Sequence, residues 1–342
     1  MSELLLEVKD LNLGYKVYNG IAKVLTGLNI KVGYSEKIGI VGETGCGKTT
    51  AMRSIMRTLA NNALVAPESK IFFQGKDILK MNNSEVQDLR RENISMVFED
   101  PTASLNPVFT VGTQLSDIVK SVKQLKIKNQ WEKKLKKESI KKQVEKIFKS
   151  VYLPDPERIY QSFPIQLSGG MRQRVCIAMA LISSKELLIF DEPGTSLDVT
   201  IKDQIFKLIK SIIEKGNASI ILISHDLGDI KHMSDRVYIM YAGSIVEEAE
   251  TRELFNKPLH PYTEGLLLAT PKLTGGIGQG IFGNIPSYLD PPKGCRFYPR
   301  CKDRMPICAE KVPPMININN SHRVACFLFN KDKGGVTINE NR

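Results

Sequence analysis

The stretch GIVGETGCGKTT, residues 39–50, joins an apolar run to a segment of helical spacing through a glycine-rich turn. Gly42, Gly47, Lys48 and Thr49 satisfy G-x-x-x-x-G-K-[ST] in the strand–loop–helix setting that gives the pattern meaning. Glycines let the backbone curl until several N–H groups point at phosphate oxygens, and the following helix adds its positive N-terminal end. Lys48 is suited to reach the β- and γ-phosphates, and the Thr49 hydroxyl to ligate Mg²⁺. Gly42, Glu43, Thr44, Gly45, Cys46, Gly47, Lys48, Thr49 and Thr50 are therefore the candidate nucleotide-binding residues. Cys46 is also a candidate for oxidation, whereas Cys176 reads as a core residue. A phosphate loop by itself names no function, because GTPases, kinases, helicases and transporters all carry one.

LLIFDEP, residues 187–193, is an apolar strand ending in two acids. Asp191 at its end would hold Mg²⁺, directly or through water. Glu192, next to it, is suited to polarise an attacking water as general base. Upstream, LSGGMRQRVCIAMAL places Ser168, Gly169 and Gly170 at a helix start, a second N–H-rich anion site. An ordinary N-cap with flexible glycines is the plainer reading of the same residues. If both helix starts bind one nucleotide, they come from two subunits arranged head to tail.

A third group lies near the end of the chain, in GCRFYPRC and beyond: Cys295, Cys301, Cys308 and Cys326. The gaps between them are five, six and seventeen residues. Zinc sites usually contain a close C-x₂₋₄-C pair, and none occurs here. Four thiolates suit an iron–sulfur cluster, yet the spacing matches neither ferredoxin pattern. The spacing leaves iron–sulfur, zinc and no metal all open. With zinc, His322 is an alternative ligand.

The elements that must position these residues read as alternating strand and helix. LLLEVKDL, LNIKV, KIGIVG, KIFFQG, ISMVFED, ELLIFDEP, ASIILISHD and RVYIMYAGSIVEE are strand-like. TTAMRSIMRTLA, residues 113–185 and DVTIKDQIFKLIKSIIEKG read mainly as helix. Such alternation predicts an α/β fold with a largely parallel sheet covered by helices. After about residue 256, Pro258, Pro261, Pro271, Gly275, Gly276, Gly278 and Gly280 mark irregular connections before a small cysteine-bearing module.

The 342 residues are 42% hydrophobic and 25% charged, an ordinary globular composition with room for one large domain and an appendage. The longest apolar runs fall far short of a membrane span, and MSELLLEVKD is not a signal peptide. The expected location is the cytoplasm, where thiols stay reduced. The net charge of +11 permits nucleic-acid binding, contact with an anionic membrane face, or simple solubility. Much of it is local: from Lys120 to Lys149 there are twelve lysines against Glu132, Glu138 and Glu145. Leu125, Ile127, Leu135, Ile140, Val144, Ile147 and Phe148 are interspersed, which predicts a helix with a solvated basic face. No aromatic interleaving suggests base stacking.

Taken together, GETGCGKTT, LSGGMRQR, LLIFDEP, SLD at Ser196 to Asp198 and SHD with His225 resemble the ATP-binding subunits of ABC transporters, over residues 1 to about 330. The resemblance implies a P-loop ATPase core with an antiparallel β subdomain, a helical subdomain at about 105–185 carrying the LSGG segment, and a small C-terminal four-cysteine module. The ATPase domain would span 1–256, the C-terminal extension 257–330 and a tail 331–342. It further implies that Ser168, Gly169 and Gly170 contact the γ-phosphate held by the opposing subunit. His225 would contact the γ-phosphate in its own subunit and hold Glu192 and the water, and Asp198 would organise the dimer interface. Tyr15 is the candidate to stack on adenine, with Tyr18 its rival. Two positions depart from the family: Glu99 stands in VFEDP where glutamine is usual, and Gly194 where threonine is common. Glu99 can still ligate Mg²⁺ but adds negative charge beside the triphosphate.

PSYLDPPKGCRFYPRC with Cys308 and Cys326, DPTASLNP and HPYTEGLL resemble one branch of that family, the dipeptide, oligopeptide and nickel importers. This implies a [4Fe–4S] cluster on the four cysteines, with zinc as the alternative. The expected function is ATP hydrolysis energising import of peptides or a related solute such as nickel or an oligosaccharide. The expected place is the cytoplasmic face of the membrane. Expected partners are a second, homologous ATPase subunit, two transmembrane permease subunits and, indirectly, an extracytoplasmic solute-binding protein, but no nucleic acid. The alternatives are a soluble ABC-type ATPase acting on nucleic acid or ribosomes, and a regulatory module with dead catalysis. Lys48, Asp191, Glu192 and His225 argue against the latter, while Glu99 keeps it open.

Overall fold

The computed structural model describes residues 4–122, 130–183, 186–195, 197–269 and 280–330, without the side chains of 130–137, 183 and 215. Ser196, Leu125, Ile127, the Leu135 side chain, Pro271, Gly275, Gly276, Gly278 and the tail 331–342 lie outside the described residues. The chain divides into two compact units, residues 1–80 with 222–342 and residues 81–221.

The first unit begins with β1 (Leu4–Val17), β2 (Gly20–Gly33), β3 (Lys37–Val41), α1 (Lys48–Ile55), β4 (Ala63–Val65), β5 (Lys70–Phe73) and β6 (Lys76–Asp77). The second holds α2 (Asn83–Glu92), β7 (Ile94–Val97), α3 (Pro101–Ser104), α4 (Val111–Val122), α5 (Gln130–Ser150), α6 (Pro156–Gln161), α7 (Gly169–Ser183), β8 (Leu187–Asp191) and α8 (Val199–Lys215). Strand β9 (Ser219–Ile223) carries the chain back to the first unit. There follow α9 (Leu227–Met233), β10 (Arg236–Tyr241), β11 (Ser244–Glu250), α10 (Thr251–Asn256), α11 (Pro261–Ala269), α12 (Pro306–Glu310), β12 (Ile316–Asn317) and β13 (His322–Val324).

Two sheets build the first unit. In one, β1 pairs antiparallel with β2, β4 and β5, and β5 with β6. Leu6 and Val8 of β1, Leu11 beyond a register shift, and the alternate residues Leu28, Ile30 and Val32 of β2 are buried, so this sheet packs an apolar face. In the other, β10 lies parallel to β3 and antiparallel to β11, which is followed by β13 and β12. The sheet is mixed rather than largely parallel. RVYIMYAGSIVEE is not one strand but the hairpin β10–β11. Ala242 at φ 42° and Gly243 at φ 89° make a turn with two left-handed residues, which suits a tight hairpin. A Cβ on Gly243 would lie 1.9 Å from the Val24 carbonyl oxygen, so only glycine fits there.

In the second unit β7 and β8 run parallel, and every residue of β8 is buried. An all-apolar run such as LLIF is what a strand covered on both faces requires. Helix α2 starts in a reciprocal cap: Asn82 Oδ1 accepts from Glu85 N at 3.0 Å, and Glu85 Oε2 from Asn82 N at 2.8 Å. On α5, Ile140, Val144 and Phe148 recur every fourth residue and are buried. Lys141 pairs outward with Glu157 at 2.8 Å and Glu145 at 3.5 Å, so over its described side chains the lysine-rich helix has the expected solvated basic face.

Candidate nucleotide site

The phosphate loop leaves β3 at Gly42, where a side chain would collide with the Met240 carbonyl oxygen 2.2 Å away. Gly45 and Gly47 adopt φ of +82° and +105°, values glycine reaches without strain, and these curl the loop onto the first turn of α1. Within the loop Cys46 N donates to Glu43 O at 3.1 Å. Lys48 is buried, and its Nζ donates to Gly42 O at 2.7 Å and Glu43 O at 3.1 Å. The loop carbonyls thus hold the ammonium on the curl itself. Thr49 and Thr50 follow, half-buried, in the first turn of α1. Cys46 is fully buried, and burial pushes its thiol up to about 11. A buried, protonated thiol is a poor nucleophile, so Cys46 is not the oxidation-prone residue its position in the loop suggests.

Other nucleotide candidates of the first unit stand apart in character. Tyr15 is half-buried on β1, in register with Ala22 and Ala63, whereas Tyr18 is fully exposed in the β1–β2 turn. His225 follows β9 and is exposed, just ahead of Asp226, whose carboxylate caps α9 through Gly228 N at 2.8 Å.

In the second unit Asp191 ends β8 and is 1% exposed. Glu192 is also buried, at φ 46°, a left-handed conformation costly for a non-glycine residue. Its Oε2 accepts from the Thr195 hydroxyl at 2.9 Å, which fixes the carboxylate. Glu99 is exposed after β7. Ser168 is exposed, and its Oγ accepts from Met171 N at 3.3 Å, the N-cap geometry of α7. A Cβ on Gly170 would lie 2.5 Å from Ile201 of α8, so that glycine permits close helix packing. Asp198 is the N-cap of α8, accepting from Ile201 N at 2.9 Å. Gly194 has a local reason to depart from threonine: its Cβ would sit 2.7 Å from Lys202 Cγ and 3.0 Å from the Phe206 ring. Cys176 is buried against the Pro101 carbonyl, with its thiol raised to about 12 by burial and the Asp100 charge.

The four C-terminal cysteines line one small cavity with His260 and Phe297. Backbone pairing brings them there: Cys295 N donates to Cys308 O at 2.8 Å and Cys301 N to Phe297 O at 3.0 Å. Gly294 is required for this approach, since a Cβ would lie 2.3 Å from Cys308 O. Burial first, then the Asp303 charge and the neighbouring thiols, raise Cys301 to about 11; burial, then the neighbouring thiols, raise Cys326 to about 12; burial also raises Cys295. Among the described residues no group of three or more His, Cys, Asp or Glu is placed to hold a single metal ion. His322 does not belong to this set. Its Nε2 lies 2.7 Å from Glu247 and its Nδ1 3.3 Å from Glu253, so both ring nitrogens are committed to carboxylates, and the zinc-ligand alternative for His322 is set aside.

Sequence reasoning missed the two arginines between the cysteines. Arg296 donates to Thr26 Oγ1 at 2.8 Å, to Lys23 O and to Ala242 O. Arg300 donates to both oxygens of Glu43 in the phosphate loop, at 2.7 and 2.9 Å. Nothing in the local pattern of GCRFYPRC signals these contacts.

The first unit carries a glycine-curled phosphate loop and the second a buried acid pair ending an apolar strand, residue types that a nucleotide-hydrolysing cassette of the ABC type uses. The fold agrees: the dimeric ATP-binding cassette MJ0796 bound to ADP and Pi matches with TM-score 0.61 at 22% identity, covering 72% of this chain and 99% of that one. CbiO1 from Clostridium perfringens, part of the transporter complex CbiONQ, matches with TM-score 0.59 at 26% identity, covering 75% and 92%. The ABC transporter family matches residues 25–195, and the oligopeptide/dipeptide transporter C-terminal region matches residues 246–308. Among similar proteins are the dipeptide transport ATP-binding protein DppD of Bacillus subtilis, 39% identical with 95% of each chain covered, and the oligopeptide transport ATP-binding protein OppD of the same organism, 40% identical with 96% of this chain and 90% of that one covered. OppD of Escherichia coli is 38% identical over 95% of this chain and 94% of its own. The chain belongs to the ABC transporter family, in the branch whose ATP-binding proteins carry the oligopeptide/dipeptide C-terminal region. It is an ATPase subunit of that family. Among the described residues no helix is long and apolar enough to cross a membrane.

Proposed function

We propose that this chain hydrolyses ATP to energise an importer of peptides at the cytoplasmic face of the membrane, working with a second homologous ATPase subunit, two permease subunits and, through them, a solute-binding protein. The observation that carries the reading is the near full-length likeness to the two Bacillus ATP-binding proteins of dipeptide and oligopeptide transport. The nucleic-acid or ribosome reading has no comparable support, and much of the +11 charge falls in the single lysine-rich stretch 120–149. Residues 1–256 serve as the ATPase domain, with a helical subdomain at about 105–185, and residues 257–330 as the C-terminal extension.

In this reading the inward N–H groups of Gly45 to Thr50 and the Lys48 ammonium neutralise the triphosphate, and Tyr15 stacks on the adenine. Thr49, Asp191 and Glu99 would offer oxygen donors, the kind Mg²⁺ takes, and a bound ion would supply charge neutralisation to the triphosphate. Glu192, pinned by Thr195, takes the proton of the attacking water, and His225 holds that water. Ser168, Gly169 and Gly170 at the start of α7 offer N–H groups to the nucleotide of the opposing subunit, with Asp198 at the interface. ATP then joins two half-sites, and hydrolysis separates them.

The four cysteines Cys295, Cys301, Cys308 and Cys326 line one cavity, and four thiolates are a donor set that an iron–sulfur cluster takes, so the reading gives them, with zinc the alternative, to a [4Fe–4S] cluster. Its charge would offset the cost of bringing four thiolates together, and it would pin a proline-rich segment that has little core of its own. Glu192→Gln tests the catalytic assignment: turnover should fall by about 10² or more, with ATP still bound. Undiminished turnover would defeat it.

A further inference from the structure

We propose that Arg300, in the C-terminal region, is a positioning residue for ATP binding: it grips Glu43 and so holds the phosphate loop in its nucleotide-ready curl. The proposal rests on the reading of residues 42–50 as the nucleotide loop and adds a part to it that lies some 250 residues away in sequence, the Glu43–Arg300 separation being 257.

The contact is a two-point fork. Arg300 Nη1 donates to Glu43 Oε2 at 2.7 Å and Nη2 to Oε1 at 2.9 Å. Such bidentate pairs fix orientation as well as distance. The guanidinium is itself held: Nε donates to Phe282 O at 2.9 Å, Nη2 to Ile281 O at 3.0 Å, and the Tyr241 ring packs beside it with 5.7 Å between guanidinium carbon and centroid. The Arg300 side chain is 5% exposed and that of Glu43 27%, so solvent screens the pair only in part.

Two tyrosines of the same C-terminal region complete the grip. Tyr262 OH accepts from Glu43 N at 3.0 Å, and Tyr288 OH donates to Gly45 O at 2.7 Å. Tyr288 is fixed in turn, since its carbonyl accepts from Lys23 N at 2.7 Å and the Arg296 guanidinium lies over its ring. The C-terminal region therefore takes hold of the loop through a side chain at 43, an N–H at 43 and a carbonyl at 45. Gly45 and Gly47, with φ of +82° and +105°, are the residues with most freedom to leave that curl. Bracing the loop from outside leaves its inward N–H groups for phosphate and lowers the ordering cost of binding.

The test uses the full chain, a fluorescent ATP analogue with Mg²⁺, and the variants Arg300→Met, Glu43→Gln and their combination. Each single variant should weaken analogue binding about tenfold, the scale of a lost charge-assisted contact, and the double no more than the worse single. Tyr288→Phe should weaken it by about threefold. In steady state, Arg300→Met should raise KM for ATP by more than it lowers kcat, and Arg300→Lys should recover part of the loss. If Arg300→Met does not fold, Glu43→Gln decides alone, because it leaves the Arg300 bonds to Ile281 and Phe282 in place. Parental affinity in Glu43→Gln, or losses that multiply in the double variant, overturns the proposal. No binding by the parent chain overturns both this and the loop assignment.

Discussion

Arg300 and Glu43 meet as a two-point ion pair across 257 residues of sequence. Arg300 immediately precedes Cys301, and Glu43 follows the glycine that opens the phosphate loop. The segment GCRFYPRC thus turns its cysteines to a cavity of the C-terminal region while its arginines reach the loop and the β2 hairpin. Phe297 between them packs on Tyr241, Tyr262 and His260, with ring centroids 5.0, 5.4 and 5.6 Å away.

The chain purified anaerobically should be brown, absorb near about 400 nm and carry iron with sulfide. Serine at any one of Cys295, Cys301, Cys308 or Cys326 should remove the colour. Stoichiometric zinc without iron would contradict the cluster.

His322 couples strand β13, between β11 and β12, to pH. Burial opposes its protonation, but the hydrogen bond and charge of Glu247, and then Glu253, raise its pKa above the ordinary value. A raised folded-state pKa gives stability that is full below the unfolded value, about 6.5, and is lost as pH rises through the folded value. Denaturant midpoints of the parent should therefore decline as pH rises past neutrality, and His322→Gln should flatten that decline. Glu253 runs the other way. Burial opposes ionisation, yet Ser321, Asn319 and His322 lower its pKa, so its contribution is lost as pH falls through the lowered value. A parent whose stability is flat from neutral to alkaline pH would contradict the His322 pairing.

Gly194→Thr should cost about 1–3 kcal/mol by overpacking, since the added Cβ meets Lys202 and Phe206. Lys202→Ala in the same chain should recover part of it. Thermal melts of the three proteins measure both effects, and an unchanged midpoint in Gly194→Thr would show that the space is available.

Glu99→Gln should change the ATPase rate and its Mg²⁺ dependence several-fold, because it removes a carboxylate from the assigned oxygen donor set. Equal rates at every Mg²⁺ concentration would detach Glu99 from the metal.

Much of the architecture was legible because local chemistry dictates it. LLIF can only be a strand buried on both faces, and the glycines of residues 42–47 can only be a tight loop between β3 and α1. The hairpin at Ala242–Gly243 escaped because alanine gives no hint of a left-handed turn; tertiary contact with Val24 demands it. The mixed sheet escaped for the same reason, since strand direction depends on where the chain returns. His322 looked like a metal ligand by proximity in sequence to Cys326, but its partners Glu247 and Glu253 arrive from β11 and α10. Cys46 looked reactive by its place in a polar loop, and burial makes it inert. Arg300 could not be foreseen, because an ion pair over so long a loop leaves no local pattern.

The central claim is that ATP joins two half-sites from different subunits. The direct measurement is a structure of the Glu192→Gln chain with its partner subunits, ATP and Mg²⁺. The account predicts Ser168 Oγ and the Gly170 N–H within hydrogen-bond reach of the γ-phosphate held on the opposing subunit's phosphate loop. A closed complex in which the start of α7 touches no nucleotide would contradict it.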